Sequence, residues 1–440
     1  MKPDKVIITQ ENGKYKFTCN FKSLNDSQGF IMSSSNYNEV VEFVNDLLSI
    51  FADNDEYGNR VKRLKLLQFN TLNIKNDFIL LSEKYEKNLP QIKGLISFFK
   101  KTGDNKAFVI ILNEPITPKL SFDLNAYLYS LSGNRSFEEI KEENDKLFKN
   151  VIEEYHIRAV GEFRKSIGNP IKTERLCRFC KKKVPEVSFK YKAHAMSEAL
   201  GNKNVILFDE CDKCNEVFGK SIEGDIITYL SLFRTIYEVD GKRGKKKIKG
   251  RNFEMTKNET VEIKFWNIDE RPKKGDPYNL RLDFGKDLNR QNIYKTLCKF
   301  FLSVIEEDQL HYFEKTFDWI NGKYISTNKL PKVAELISYE HFSKQPKIFY
   351  YLRKSNKTKL PYAICDFQFT CKKMVFIIPF CSLDKQEFNS SKDWDKIFKV
   401  FKYFDETRGW QFNDFSKDKN ENLIVQLNSK LHIENKTNGK

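Results

Sequence analysis

Two Cys-x-x-Cys pairs, Cys177/Cys180 and Cys211/Cys214, constrain what this chain can fold into more than any other feature of its 440 residues. Each pair forms a tight knuckle that turns both sulfurs to one side, so two pairs can enclose one ion tetrahedrally; the spacing predicts a structural zinc held by four thiolates. A closed shell of four cysteines leaves no open coordination position, which makes the metal a clasp and not a reactive centre. Redox dithiols, the competing reading, usually occur singly beside a βαβ pattern, and no such pattern surrounds these.

The residues inside the clasp carry chemical groups. Residues 187–194, VSFKYKAH, alternate apolar and polar side chains as a half-buried strand does, with His194 at the end. A GNKN turn containing Asn202 and Asn204 follows, then VILF as a second strand before Cys211. Asn215 comes directly after the last cysteine and opens residues 216–239, where Val217, Phe218, Ile222, Ile226, Ile227, Leu230, Phe233 and Ile236 recur at helical spacing. The expected order is strand, loop, strand, helix.

This stretch resembles the HNH endonucleases, the ββα-metal nucleases, in the form whose motif is bracketed by two cysteine knuckles. The resemblance rests on Cys177-x-x-Cys180, on Ala193-His194 with Glu198 and Gly201-Asn202, and on Asp209-Glu210-Cys211-x-x-Cys214-Asn215 with Phe218, Gly219 and Glu223; it covers about residues 176–225. It implies that His194 is the general base for a water attacking a phosphodiester. It implies that Asn204, or Asn202 in a shifted register, braces the loop, and that Asn215 binds a catalytic divalent cation such as Mg2+ or Mn2+. A hard cation of this kind stabilises charge on phosphate oxygens. Many relatives place an aspartate or histidine ligand just before the base, where this chain has Ala193. Glu223 is the first choice to complete the cation's shell, with Glu198 and Asp225 behind it; a solvated helix face is the other reading of Glu223.

Length points to several domains. Lys plus Arg exceed Asp plus Glu by 16, which favours a polyanionic partner, and the seven basic residues among the ten of 242–251 read as a flexible phosphate-contacting loop or a plain linker. Lys181, Lys182, Lys183, Lys190 and Lys192 are further phosphate contacts or simply an exposed strand face. Nine cysteines, five of them outside the clasp and unpaired in spacing, suit a reducing compartment. With no apolar signal-peptide core in residues 1–14 and no long apolar run, the expectation is a cytoplasmic protein with no membrane partner.

The fold class expected is multidomain α+β, with a central ββα-metal module flanked by two α+β domains. Its parts are an N-terminal domain (1–134), a connecting helix (135–170, with a Ser136/Glu139 capping box), the zinc-clasped module (171–240), the basic loop (241–251), a C-terminal domain (252–432) and a disordered tail (433–440). In the first domain, residues 5–10 and 14–21 suggest a hairpin turning at Asn12-Gly13, residues 37–53 an amphipathic helix, residues 77–82 and 107–113 strands, and residues 90–101 a helix. The aromatics of 350–380 read as strand core ahead of base-stacking platforms.

The function expected is metal-dependent hydrolysis of phosphodiesters in nucleic acid, most simply double-stranded DNA, in a restriction or phage-defence setting as the resemblance implies. Two other readings stand beside it: a zinc-stabilised nucleic-acid-binding module without catalysis, kept open by Ala193, and an effector whose flanking domains sense a ligand or protein partner.

Overall fold

The computed structural model describes residues 6–53, 63–113, 116–133, 135–161, 165–240, 247–266, 277–326, 329–338, 342–356 and 359–430. Residues 241–246 of the basic stretch and the tail 433–440 lie outside these. The chain divides into two compact units, 1–152 and 153–440, and is α+β throughout, with the cysteine module in its middle.

In the first unit, β1 (Thr9–Glu11) and β2 (Lys14–Ser23) form the expected hairpin, with Asn12 and Gly13 both at positive φ as an Asn-Gly turn requires. Strand β3 (Ser27–Ser34), helix α1 (Tyr37–Phe51) and the short pair β4 (Ala52–Asp53) and β5 (Arg63–Leu64) follow. Next come β6 (Leu67–Phe69), α2 (Leu72–Tyr85), α3 (Lys93–Thr102), β7 (Ala107–Leu112), α4 (Pro118–Ser132) and α5 (Phe137–Glu154). The antiparallel sheet has β2 paired with β1, β3 and β7, and β7 paired with β6. Phe17, Phe21 and Phe108 from the sheet meet Phe43, Phe78, Phe98 and Phe99 from the helices in one aromatic core.

Residues 77–82 are helical, not a strand. Phe78, Leu81 and Tyr85 are buried while Ile79 and Leu80 are exposed, a period of 3.6 that the short apolar run 78–81 conceals, and Thr71 caps the helix by accepting from Ile74 N. The connecting helix is also shorter than its charge pattern predicts: α5 stops at Glu154. Residues 155–160 instead form β8 (Tyr155–Val160), an edge strand of the second unit's main sheet.

The second unit continues with β9 (Lys165–Ile167), β10 (Ala193–His194), β11 (Val205–Leu207), α6 (Asp212–Ser221), α7 (Glu223–Tyr229) and α8 (Ser231–Ile236). Then come β12 (Ile248–Lys249), β13 (Phe253–Lys257), β14 (Val261–Phe265), β15 (Pro277–Asn289), α9 (Arg290–Val304), α10 (Glu314–Ile320) and β16 (Val333–Ile337). The chain ends with β17 (Ser343–Arg353), β18 (Ala363–Thr370), β19 (Lys372–Ile377), α11 (Ser391–Val400), α12 (Lys402–Asp405), β20 (Gln411–Asn413) and β21 (Asn420–Lys430). The main sheet runs β20-β16-β19-β18-β17-β8, and Tyr350, Tyr351, Phe367, Phe369 and Phe376 on it are buried core, as expected of strand aromatics.

Helix α9 is the spine. Asn289 caps it, and residues on every side of it are buried, among them Leu297, Cys298, Lys299, Phe300, Phe301 and Leu302. A helix apolar all round belongs inside a core, and one continuous core joins its side chains to Cys177, Phe179, Cys211 and Phe218 of the cysteine module. The end of the basic stretch is not a loop either: Ile248 and Lys249 pair with Met255 and Glu254.

Arg178, between the first two cysteines and 5 % exposed, donates through Nη1 to the carbonyls of Leu302 and Ile305, both at 2.9 Å. These charge-assisted bonds close the C-terminal end of α9, whose carbonyls have no partner within the helix. Arg178→Met should therefore lower the unfolding free energy of the second unit by about 2–4 kcal/mol, read from the midpoint of urea denaturation, with bound metal unchanged in the native protein.

Candidate metal centre and active site

The four sulfurs of Cys177, Cys180, Cys211 and Cys214 lie within 4.8 Å of one another. Cys180 Sγ is 3.8 Å from Cys211 Sγ. That is far beyond a disulfide and matches the edge of about 3.8 Å that a tetrahedron with metal–sulfur bonds of ~2.3 Å requires. The backbone builds both knuckles. Cys177 N donates to Lys182 O and Lys181 N to Cys177 O; Cys211 caps α6, its sulfur accepting from Cys214 N, and Cys177 Sγ accepts from Cys211 N. Hydrogen bonding from Cys214 and from backbone amides pulls the Cys177 thiol down to about 4. Burial pushes Cys211 up to about 12, and the hydrogen bond with Cys177 pushes Cys214 up. Crowded anions oppose one another, and a central dication removes that opposition. The donor set thus fits a structural metal site, the one such group among the described residues.

The expected strand 187–194 is reduced to its last two residues. Ala193 pairs with Leu207 and His194 with Ile206. Upstream, the backbone groups that a ladder would use are taken by Asp212: its carboxylate accepts from Lys190 N and Tyr191 N at 2.9 Å and from Ser188 Oγ, and its own N–H goes to Ser188 O. Strand β11 also pairs in parallel with β9, so the module's sheet takes a strand from before the first knuckle.

The helix expected over 216–239 is three short ones. The backbone is stretched at Ile222 (φ −101°), still within the right-handed region, and leaves that region at Leu230 (ψ 6°), yet the i to i−4 bonds Ile222 N to Phe218 O and Leu230 N to Ile226 O persist. The apolar period therefore runs on across both breaks.

Strand alternation sends Ala193, 3 % exposed, into the core and leaves the His194 side chain 19 % exposed. Its Nδ1 faces Glu198 Oε2 at 3.9 Å, an electrostatic neighbour beyond hydrogen-bond reach. Burial pulls the imidazole below its ordinary value, with Glu198 acting in the opposite sense and Lys299 reinforcing the drop.

Of the two asparagines in the turn, Asn202 is the brace. Its side chain is 1 % exposed, donates to Met196 O (2.8 Å) and Val205 O (3.1 Å), and accepts from Asn204 N (3.1 Å) and Val205 N (3.0 Å). The Asn204 carbonyl accepts from Lys165 N. Gly201, at φ +84°, makes the turn possible; a Cβ there would stand 2.7 Å from Val239 Cγ1. Asn215 lies half-buried on α6.

Glu223 is not on a solvated face. At 8 % exposure it sets Oε1 3.1 Å from Lys299 Nζ, and Glu210 Oε2 lies 3.1 Å from the same nitrogen. Lys299 Nζ also donates to His194 O at 3.4 Å and sits over the rings of Phe179 and Phe218 at 5.8 and 5.9 Å. Burial works against its charge, but the two carboxylates outweigh it and hold the ammonium above the ordinary lysine value. Burial raises Glu210 to about 7 despite Lys299. Sequence reading missed Lys299, which lies 105 residues from His194; the one available signal was a lysine inside the apolar run of α9. Asp225 is engaged elsewhere, accepting from Asn292 Nδ2 at 2.8 Å. Glu153, Glu154 and His156 form no metal group.

Residues 177–231 match the family model of the HNH endonucleases, so the chain contains a domain of that kind. No curated protein and no solved structure matches the chain. A domain of this type implies a nuclease, a nucleic-acid substrate and a divalent cation.

Removing one partner from a buried charge cluster leaves the rest unpaired. Lys299→Met should destabilise the second unit by about 3–5 kcal/mol in urea unfolding, and Lys299→Met combined with Glu210→Gln should recover part of that loss. Additive losses in the double variant would show that the two groups do not interact.

Proposed function

We propose that this protein is a metal-dependent endonuclease that hydrolyses phosphodiester bonds in DNA, with His194 as general base and zinc in the four-cysteine clasp. The observation that carries the reading is a partly exposed imidazole at the end of β10, inside the segment that matches the HNH endonucleases, with Glu198 beside it and Lys299 holding its backbone carbonyl. A neutral imidazole can accept the proton of an attacking water, and burial favours that neutral form.

Asn202 fixes the loop that carries His194, the role expected of the motif's central asparagine. Asn215 and Glu223 would hold the divalent cation, Mg2+ or Mn2+, with Glu223 positioned through Oε1 by Lys299. Bound there, the cation would supply charge stabilisation to the phosphate and leaving oxygen. A net charge of +16 favours a polyanion, and double-stranded DNA in a restriction or phage-defence setting within the cytoplasm is the substrate and context this reading takes.

Purified protein with Mg2+ or Mn2+ should nick or linearise plasmid DNA, and His194→Ala should reduce the rate about 10²-fold or more at unchanged zinc content. Intact plasmid under every metal, together with salt-sensitive binding, would sink catalysis and leave a binding module. Cleavage that appears only with added nucleotide or cell extract would identify a regulated effector. Because a base with a lowered pKa stays unprotonated further into acid, the acid limb of the rate profile should fall below pH ~6.5. Cys211→Ser should release the zinc, measured by a chromophoric chelator, and cause a cooperative loss of structure that His194→Ala does not.

A further inference from the structure

Immediately after the nuclease segment, α8 carries Ser231, Arg234 and Thr235 at i, i+3 and i+4, one face of one helix. That face borders a cavity of about 220 Å3, which Lys247 and Lys249 line from the edge of β12 and Lys286 from β15. Arg234 is 4 % exposed, and its Nε and Nη2 are buried without a hydrogen-bond partner. The hydroxyls of Ser231 and Thr235 are likewise buried and unpartnered. No carboxylate lines the cavity among the described residues; Glu254 is spent nearby on Lys247, at 2.6 Å. Burial lowers the guanidinium's pKa.

A guanidinium remains charged at any physiological pH, and a buried charge with donors left unpaired is strongly unfavourable. Four unpartnered donor atoms on one helix face that borders the hollow, with three lysines around it, offer the groups a tetrahedral oxyanion needs: a planar Arg fork suited to two oxygens, and two hydroxyls as further donors. The volume falls below the 300–1,000 Å3 or so of pockets that enclose a drug-sized ligand, so it suits a phosphoryl group and not a whole nucleotide.

We propose that the cavity between α8, β12 and β15 is an anion site that binds the phosphate group of a phosphorylated ligand through Arg234, Ser231 and Thr235. The phosphate belongs either to a nucleic-acid strand or to a free phosphorylated small molecule. The site stands independently of catalysis, so it is tested in the full-length, metal-loaded His194→Ala protein. Titrating inorganic phosphate against chloride at constant ionic strength should raise the melting temperature saturably, and Arg234→Met should abolish the shift. Lys286→Ala, an exposed rim change, should weaken apparent phosphate affinity roughly tenfold. No shift beyond chloride, or an equal shift in folded Arg234→Met, overturns the proposal. If Arg234→Met does not fold, unchanged phosphate affinity in both Lys286→Ala and Lys249→Ala overturns it. Weakened oligonucleotide binding in Lys286→Ala assigns the site to a strand phosphate. Weakened binding of a 5′-mononucleotide, with oligonucleotide binding intact, assigns it to a free ligand.

Discussion

One ammonium, that of Lys299, ties the nuclease-type module to the rest of its unit. It is fully buried, and it survives there only because Glu210 and Glu223 face it from two sides and aromatic rings cover it. Each carboxylate in turn depends on it, since a buried anion without a partner would be neutralised or expelled. The cluster fixes the start of α7 through Glu223, the approach to the second knuckle through Glu210, and the backbone of His194 through its carbonyl. The four-cysteine cluster brings the two knuckles together; this charge cluster ties the backbone of His194 to α9.

Those two devices differ in how far the sequence discloses them. Cysteine spacing is a local signal whose geometry follows from metal chemistry, so the grouping of the four cysteines, the place of His194 at a strand end and helical structure after Cys214, though not its division into three helices, were legible. The two-strand element was legible only in part. Its apolar alternation suggested eight residues where two pair, because the competing acceptor, the Asp212 carboxylate, lies more than twenty residues away. The Asn202/Asn204 ambiguity was of the same kind: spacing permits either register, and only the loop's closure decides which amide is enclosed.

Long-range partnerships were not legible. Lys299 reaches the His194 carbonyl across 105 residues and Arg178 the Ile305 carbonyl across 127, and no periodicity encodes such a meeting. Helix α2 was hidden because the four consecutive apolar residues 78–81 satisfy a strand and a buried helix equally well until their exposure is known. The charge run of α5 likewise continued smoothly into a segment that a sheet edge captures as β8.

The parallel pairing of β9 with β11 has a consequence for how this nuclease type can be inherited. A strand from residues 165–167 completes the small sheet before the motif begins, and α9 supplies the counter-charge long after it ends. The segment that carries the family signature is thus not a portable cassette. Lifted out at its own limits, it would expose a raw sheet edge and leave two acids without their counter-charge and an apolar face uncovered, so moving this segment between proteins calls for the surrounding scaffold as well.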